Sequence, residues 1–143
     1  MQRTSAREKA FLLLFENSFN KYSLDKIIST KSTLGGKNYI LDKFIIELFN
    51  GVKENEEKLD SLVSSISVRW NKDRLSKVSL CILRIALYEI LFREDIPENV
   101  SASEAVNLAK KYGTEIEYTF VNGILGTICS ESKKKNLSIG CVV

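Results

Sequence analysis

The sequence predicts an all-α protein, a bundle of about six or seven helices. Three observations carry the helical assignment. Apolar residues recur at helical spacing in almost every segment, and no strand-like alternation longer than four residues occurs. One proline and seven glycines in 143 residues leave long stretches uninterrupted. Apolar residues make up 44% and charged residues 27%, ordinary proportions for a folded domain, so one domain is expected over 1–130.

Ser5-Ala6-Arg7-Glu8 has the spacing of a capping box and is expected to open a first helix running to about Asn20. Its wide apolar face comprises Ala10, Phe11, Leu13, Leu14 and Phe15. A short helix is expected over Leu24–Ser29, followed by a loop to Lys37 marked by Gly35-Gly36. Asn38 is a plausible cap for the next periodic stretch. That stretch runs through Ile40, Phe44, Ile45, Leu48, Phe49 and Val52 to Leu59, Leu62, Val63 and Ile66, as one helix or two joined near Gly51.

Val78–Phe92 (VSLCILRIALYEILF) is the most hydrophobic segment. At 15 residues with Arg84 and Glu89 inside, it reads as a central core helix and is too short to cross a bilayer. Asp95-Ile96-Pro97 ends it, because proline disfavours helix at the preceding residue. Ser101-Ala102-Ser103-Glu104 has capping-box spacing again, before a helix to Tyr112 with Gly113 just beyond it. A last helix is expected from about Glu115 to Cys129, and 131–143 as a basic, disordered tail containing Lys133-Lys134-Lys135.

The composition argues against catalysis and for an anionic partner. The chain has no histidine, which removes the commonest general base and metal ligand, so no catalytic residue, metal or cofactor is expected. Cys81, Cys129 and Cys141 are too far apart for a metal pair. The charged N-terminus lacks a signal-peptide pattern; no membrane association and a cytoplasmic location are expected. Net charge is only +3, but it falls in blocks: basic over 1–37, acidic over 38–67, basic over 68–93, acidic over 94–129, basic beyond. Such blocks fit a surface with a basic and an acidic side, or random clustering on a solvated bundle.

Arg3, Arg7 and Lys9 crowd the start of the first helix, where the helix dipole disfavours cations. Arg69, Lys72 and Arg74 surround Trp70, which suits either RNA stacking or a plug at the edge of the core. Arg84 lies among apolar residues and needs solvent, a phosphate or a carboxylate such as Glu89. Tyr112, Tyr118 and Phe120 lie near Lys110 and Lys111.

Several of these segments occur together in a known order. Ala6–Phe15, Trp70-Asn71 with Arg74-Leu75, Ile82–Leu91, Asp95–Pro97, Glu104–Gly113 and Phe120–Leu125 resemble the NusB family in order and spacing. The resemblance implies an all-helical protein of two packed helical subdomains, a NusB-like bundle, that works in transcription antitermination and ribosomal RNA synthesis without enzymatic activity. It would bind boxA RNA together with NusE, a small-subunit ribosomal protein, at the transcription elongation complex; a homodimer is a further option. The RNA-contacting positions fall on Arg3, Arg7, Arg84 and Phe120, with Arg93 a weaker addition. Phe15 and Ser79 fall near the NusE surface. Thr4 and Ser5 stand where the family tends to carry arginine, Ser79 where many members are acidic, Ala102-Ser103 for the usual Ile-Asn, and Ile116 for a polar residue. A helical protein–protein adaptor that kept the fold and lost RNA binding is the alternative. The RNA reading expects Arg3, Arg7, Arg84 and Phe120 to converge into one strip.

Overall fold

The computed structural model describes residues 2–19, 42–66 and 75–135. They form six helices: α1 (Arg3–Phe19), α2 (Lys43–Glu54), α3 (Glu56–Ile66), α4 (Lys77–Phe92), α5 (Glu98–Tyr112) and α6 (Glu115–Lys135). The expected helix at 24–29, its following loop, the Asn38 cap and the Trp70 cluster lie outside the described residues.

The central helix is where periodicity placed it. α4 packs against all five other helices, with α1, α2 and α3 forming one subdomain and α5 and α6 completing the other around α4. Cys81, Ile82, Leu83, Ile85, Ala86 and Leu87 are all buried, so the helix has core on most of its circumference. A single apolar cluster results, joining Ala10, Phe11 and Leu13 of α1 and Ile45 and Leu48 of α2 to Val121 and Ile128 of α6.

Both expected capping boxes are absent. α1 opens at Arg3, where the Ala6 N–H already donates to the Gln2 carbonyl at 3.0 Å, so Ser5 lies within the first turn. α5 opens at Glu98 behind Pro97, which supplies no side-chain cap; Ser101 and Glu104 turn instead toward α1 and α4. Ser-x-x-Glu puts two polar side chains on one helix face as readily as it caps an end. A reciprocal box does occur at Thr114–Glu117, opening α6. The Glu117 N–H donates to Thr114 Oγ1 at 3.2 Å and the Thr114 N–H to Glu117 Oε1 at 3.0 Å.

Elsewhere single polar side chains set the boundaries. Asp42 caps α2 by accepting from the Phe44 and Ile45 N–H groups, and Ser76 caps α4 by accepting from the Ser79 N–H. α2 and α3 separate at Asn55, whose side-chain amide donates to the Gly51 carbonyl at 2.8 Å. Gly51 itself stays helical. A Cβ there would lie 2.2 Å from Tyr88 Cε1, so the glycine lets a tyrosine of α4 lie directly against the α2 backbone. α6 continues to Lys135, past the expected end at Cys129.

Candidate nucleic-acid and partner surfaces

Four groups of polar contacts place the candidate residues. The first is buried. Arg7, 4% exposed, forks onto Glu89, with Nε 2.7 Å from Oε2 and Nη2 2.8 Å from Oε1. Ser101 Oγ donates to the same Glu89 carboxylate at 2.9 Å, and Arg7 Nη1 reaches Glu104 at 3.4 Å. Glu104 also accepts from Thr4 Oγ1 at 2.5 Å. The two polar positions of the absent α5 box, Ser101 and Glu104, therefore belong to a network tying α1, α4 and α5 together. An arginine fork is the geometry best suited to hold a carboxylate away from water.

The second group opens to the surface at the end of α4. The guanidinium carbons of Arg3, Arg7 and Arg93 lie 4.9, 5.4 and 5.5 Å from the Phe44 ring centroid. Arg93 makes two 2.8 Å bonds to Asp95 and one of 2.5 Å to Glu47. Hydrogen bonds from Arg93 hold the Asp95 carboxyl down at about 2. Arg3, 50% exposed, stands 3.8 Å from Asp95 and is the least constrained of the three.

Arg84 is not part of this corner. Its Nε and Nη2 each lie 2.8 Å from the Asp60 carboxylate of α3, with Glu56 at 3.2 Å. The carboxylate it required is Asp60; Glu89, five positions along the same helix, is turned about 140° away. Phe120 is 8% exposed and belongs to the core. The structure thus brings Arg3, Arg7 and Arg93 together around Phe44, and leaves Arg84 facing α3 and the Phe120 ring buried.

The fourth group surrounds the start of α4. Phe15 is half-buried between Phe11 and Phe19, with ring centroids 6.0 and 5.0 Å away. Phe19 is 59% exposed, Leu12 is also exposed, and Lys77 Nζ sits 4.2 Å above the Phe19 ring while donating to the Ser18 carbonyl. Leu12, Phe15 and Phe19 share one helical stripe. Ser79 presents no side chain to this surface: it is buried, and its Oγ donates to Glu117 at 3.3 Å. Burial would raise the Glu117 carboxyl, but hydrogen bonds from Ser76, Thr114 and Ser79 outweigh it and hold the group below its ordinary value. On the α5–α6 corner, Lys110 lies 5.1 Å from the Tyr118 ring and Lys111 5.5 Å from that of Tyr112, while Glu8 binds both Lys111 and the Tyr112 hydroxyl.

Sequence reasoning missed Phe44 and Asp60, which it treated as a core position and as unremarkable. A one-dimensional signal existed only for Asp60: one acidic residue beside Leu59, Leu62 and Val63 on the apolar stripe of α3. Cys81 is buried, and burial pushes its thiol up to about 11, as a small core residue rather than a nucleophile. Among the described residues, no group of three or more His, Cys, Asp or Glu could hold a metal ion, and no helix is long and apolar enough to cross a membrane.

Fold and surfaces together define an all-helical, two-subdomain protein with a guanidinium-rich corner at one end of its central helix and an exposed aromatic stripe near the other. The chain belongs to the NusB family, whose model matches residues 4–130. It is 41% identical over 135 residues to the transcription antitermination protein NusB of Clostridium acetobutylicum, covering 94% of this chain and 100% of that one. T. maritima NusB superposes with a TM-score of 0.78 at 36% identity, covering 96% of this chain and 99% of that one. A chain in a crystal structure of antitermination factors NusB and NusE in complex with dsRNA superposes with a TM-score of 0.71 at 25% identity, covering 88% and 94%.

Proposed function

We propose that this protein is a transcription antitermination factor, without enzymatic activity and cytoplasmic, that binds boxA-type RNA together with NusE and supports ribosomal RNA transcription. The observation that carries this reading is family membership over nearly the whole chain, joined to a fold match with a protein solved with NusE and RNA. The surfaces suit such work. Arg3 and Arg93 stand at the surface where a phosphate can reach them, whereas Arg7, Arg84 and Phe120 act by positioning, from inside ion pairs or the core. Leu12, Phe15 and Phe19 offer an apolar stripe of the kind a protein partner covers, with Lys77 at its edge. Ser79 contributes by fixing Glu117 beside that edge. Recruitment into the elongation complex follows from holding RNA and NusE at once.

A second reading, a helical adaptor with little RNA affinity, is favoured by one observation: Arg7, Arg84 and Arg93 are each bonded to carboxylates of the chain itself. Fluorescence anisotropy of labelled boxA RNA, with and without NusE and across salt concentrations, separates the two. Salt-sensitive binding strengthened by NusE and weakened by Arg3→Ala supports the antitermination reading; NusE binding without any RNA affinity supports the adaptor. Each phosphate contact adds ~0.7 to the salt slope for a single strand.

A further inference from the structure

The end of α4 carries more than the arginine corner. Phe92, at the last helical position, is 36% exposed, and its ring stacks on Tyr88 with centroids 5.3 Å apart and planes inclined by 28°. Lys58 of α3 places its Nζ 5.8 Å from the Phe92 ring centroid. On the other side the Tyr88 hydroxyl donates to Glu47 at 3.2 Å, and Glu47 holds Arg93. Arg93 leads to Phe44, and Phe44 to Arg3. Lys58, Phe92, Tyr88, Glu47, Arg93, Phe44 and Arg3 therefore form a line of contacts crossing from α3 to the start of α1, with the Glu47 carboxylate as the link between Tyr88 and Arg93.

We propose that this line is the path of single-stranded RNA over the protein, with Phe92 as a platform for an unpaired base and Lys58, Arg93 and Arg3 facing successive phosphates. The proposal rests on the RNA-binding reading above and specifies its route. Cations at both ends of a stacked ring pair, and again on either side of Phe44, supply the phosphate and base contacts an unpaired strand needs, which an apolar protein partner does not require. A duplex buries its base faces and has nothing to offer Phe92. The line is also held in place before any ligand arrives. Tyr88 is pressed against Gly51, which has no room for a Cβ, and Arg93 is fixed by two carboxylates. Those carboxylates oppose binding as well as positioning the cation. Asp95 draws on both Arg93 and Arg3, so a phosphate approaching either must compete with it.

The test measures anisotropy of labelled boxA RNA, single-stranded and annealed to its complement, with the full chain bound to NusE. Phe92→Ala is expected to weaken single-strand binding about tenfold, the loss of one base–aromatic stack, and to leave duplex binding unchanged. Phe92→Leu, which keeps apolar cover and removes the ring, is expected to lose about as much. Lys58→Ala shallows the salt slope by ~0.7. Asp95→Asn, in an exposed turn, tightens binding severalfold and steepens the slope. If the unaltered protein binds no RNA, the antitermination reading fails and the path with it. If it binds while the Phe92 variants bind equally well, or lose single strand and duplex alike, the path is wrong and the reading stands. Weaker binding by Asp95→Asn overturns the competition argument and the path.

Discussion

Replacing Arg7 by alanine puts the buried fork to the test. The substitution leaves Glu89, 1% exposed, with the Ser101 hydroxyl still donating to it. Breaking a buried pair by deleting one member costs about 3–5 kcal/mol, because the surviving charge loses its compensation without regaining water. For a domain of this size each kcal/mol shifts the midpoint by about 3–4 °C, so Arg7→Ala should melt roughly 10–20 °C lower. Arg7→Met combined with Glu89→Leu should recover most of the loss, since an apolar pair of similar volume often replaces a buried ion pair at no net cost. Thermal and urea unfolding followed by circular dichroism at matched conditions measures all three chains. A loss below about 1 kcal/mol for Arg7→Ala, or a double variant no better than the single one, would show that the fork is not a buried, mutually dependent pair. The result bears on function too. Any RNA defect of Arg7→Ala must be compared with that of the double variant before it is read as a lost contact.

Three other outcomes follow from the geometry. Gly51→Ala should destabilise by about 1 kcal/mol in urea unfolding, because crowding Tyr88 outweighs the ~1 kcal/mol helix-propensity gain; Tyr88→Leu in the same chain should restore stability. Glu117 is held below its ordinary 4.5, so its contribution is present above that value and is lost as pH falls through the lower folded value. Glu117→Gln should accordingly flatten the stability-against-pH curve on its acid side, and an unchanged curve would count against the Ser76–Ser79–Thr114 arrangement. Cys81, buried and pushed up to about 11, should react with a thiol reagent at pH 8 only as fast as the protein unfolds; rapid labelling of Cys81 in the folded chain, located by mass spectrometry, would contradict its burial.

Local sequence determined the helical class through periodicity, the centrality of Val78–Phe92 through its continuous hydrophobicity, and the turn before Pro97 through the proline itself, because a stripe of apolar residues every three to four positions has one economical burial. Of the six segments that resemble the family, the five that lie among the described residues fall on the helices of the bundle or on the turn before Pro97. Pairing was a different matter. Arg7, Glu89, Ser101 and Glu104 read as a basic terminus, a candidate partner for Arg84 and a capping box, yet they are one network, because their spacing in sequence says nothing about which helix faces meet. Arg84 was expected to need solvent, a phosphate or a carboxylate such as Glu89, and only the crossing of α3 over α4 selected a carboxylate, that of Asp60. Phe44 looked like one more core position until three guanidinium groups from two helix ends converged on its ring. Helix formation is decided by near neighbours along the chain, whereas the partner of a charge is decided by helix packing, and packing is a property of the whole fold.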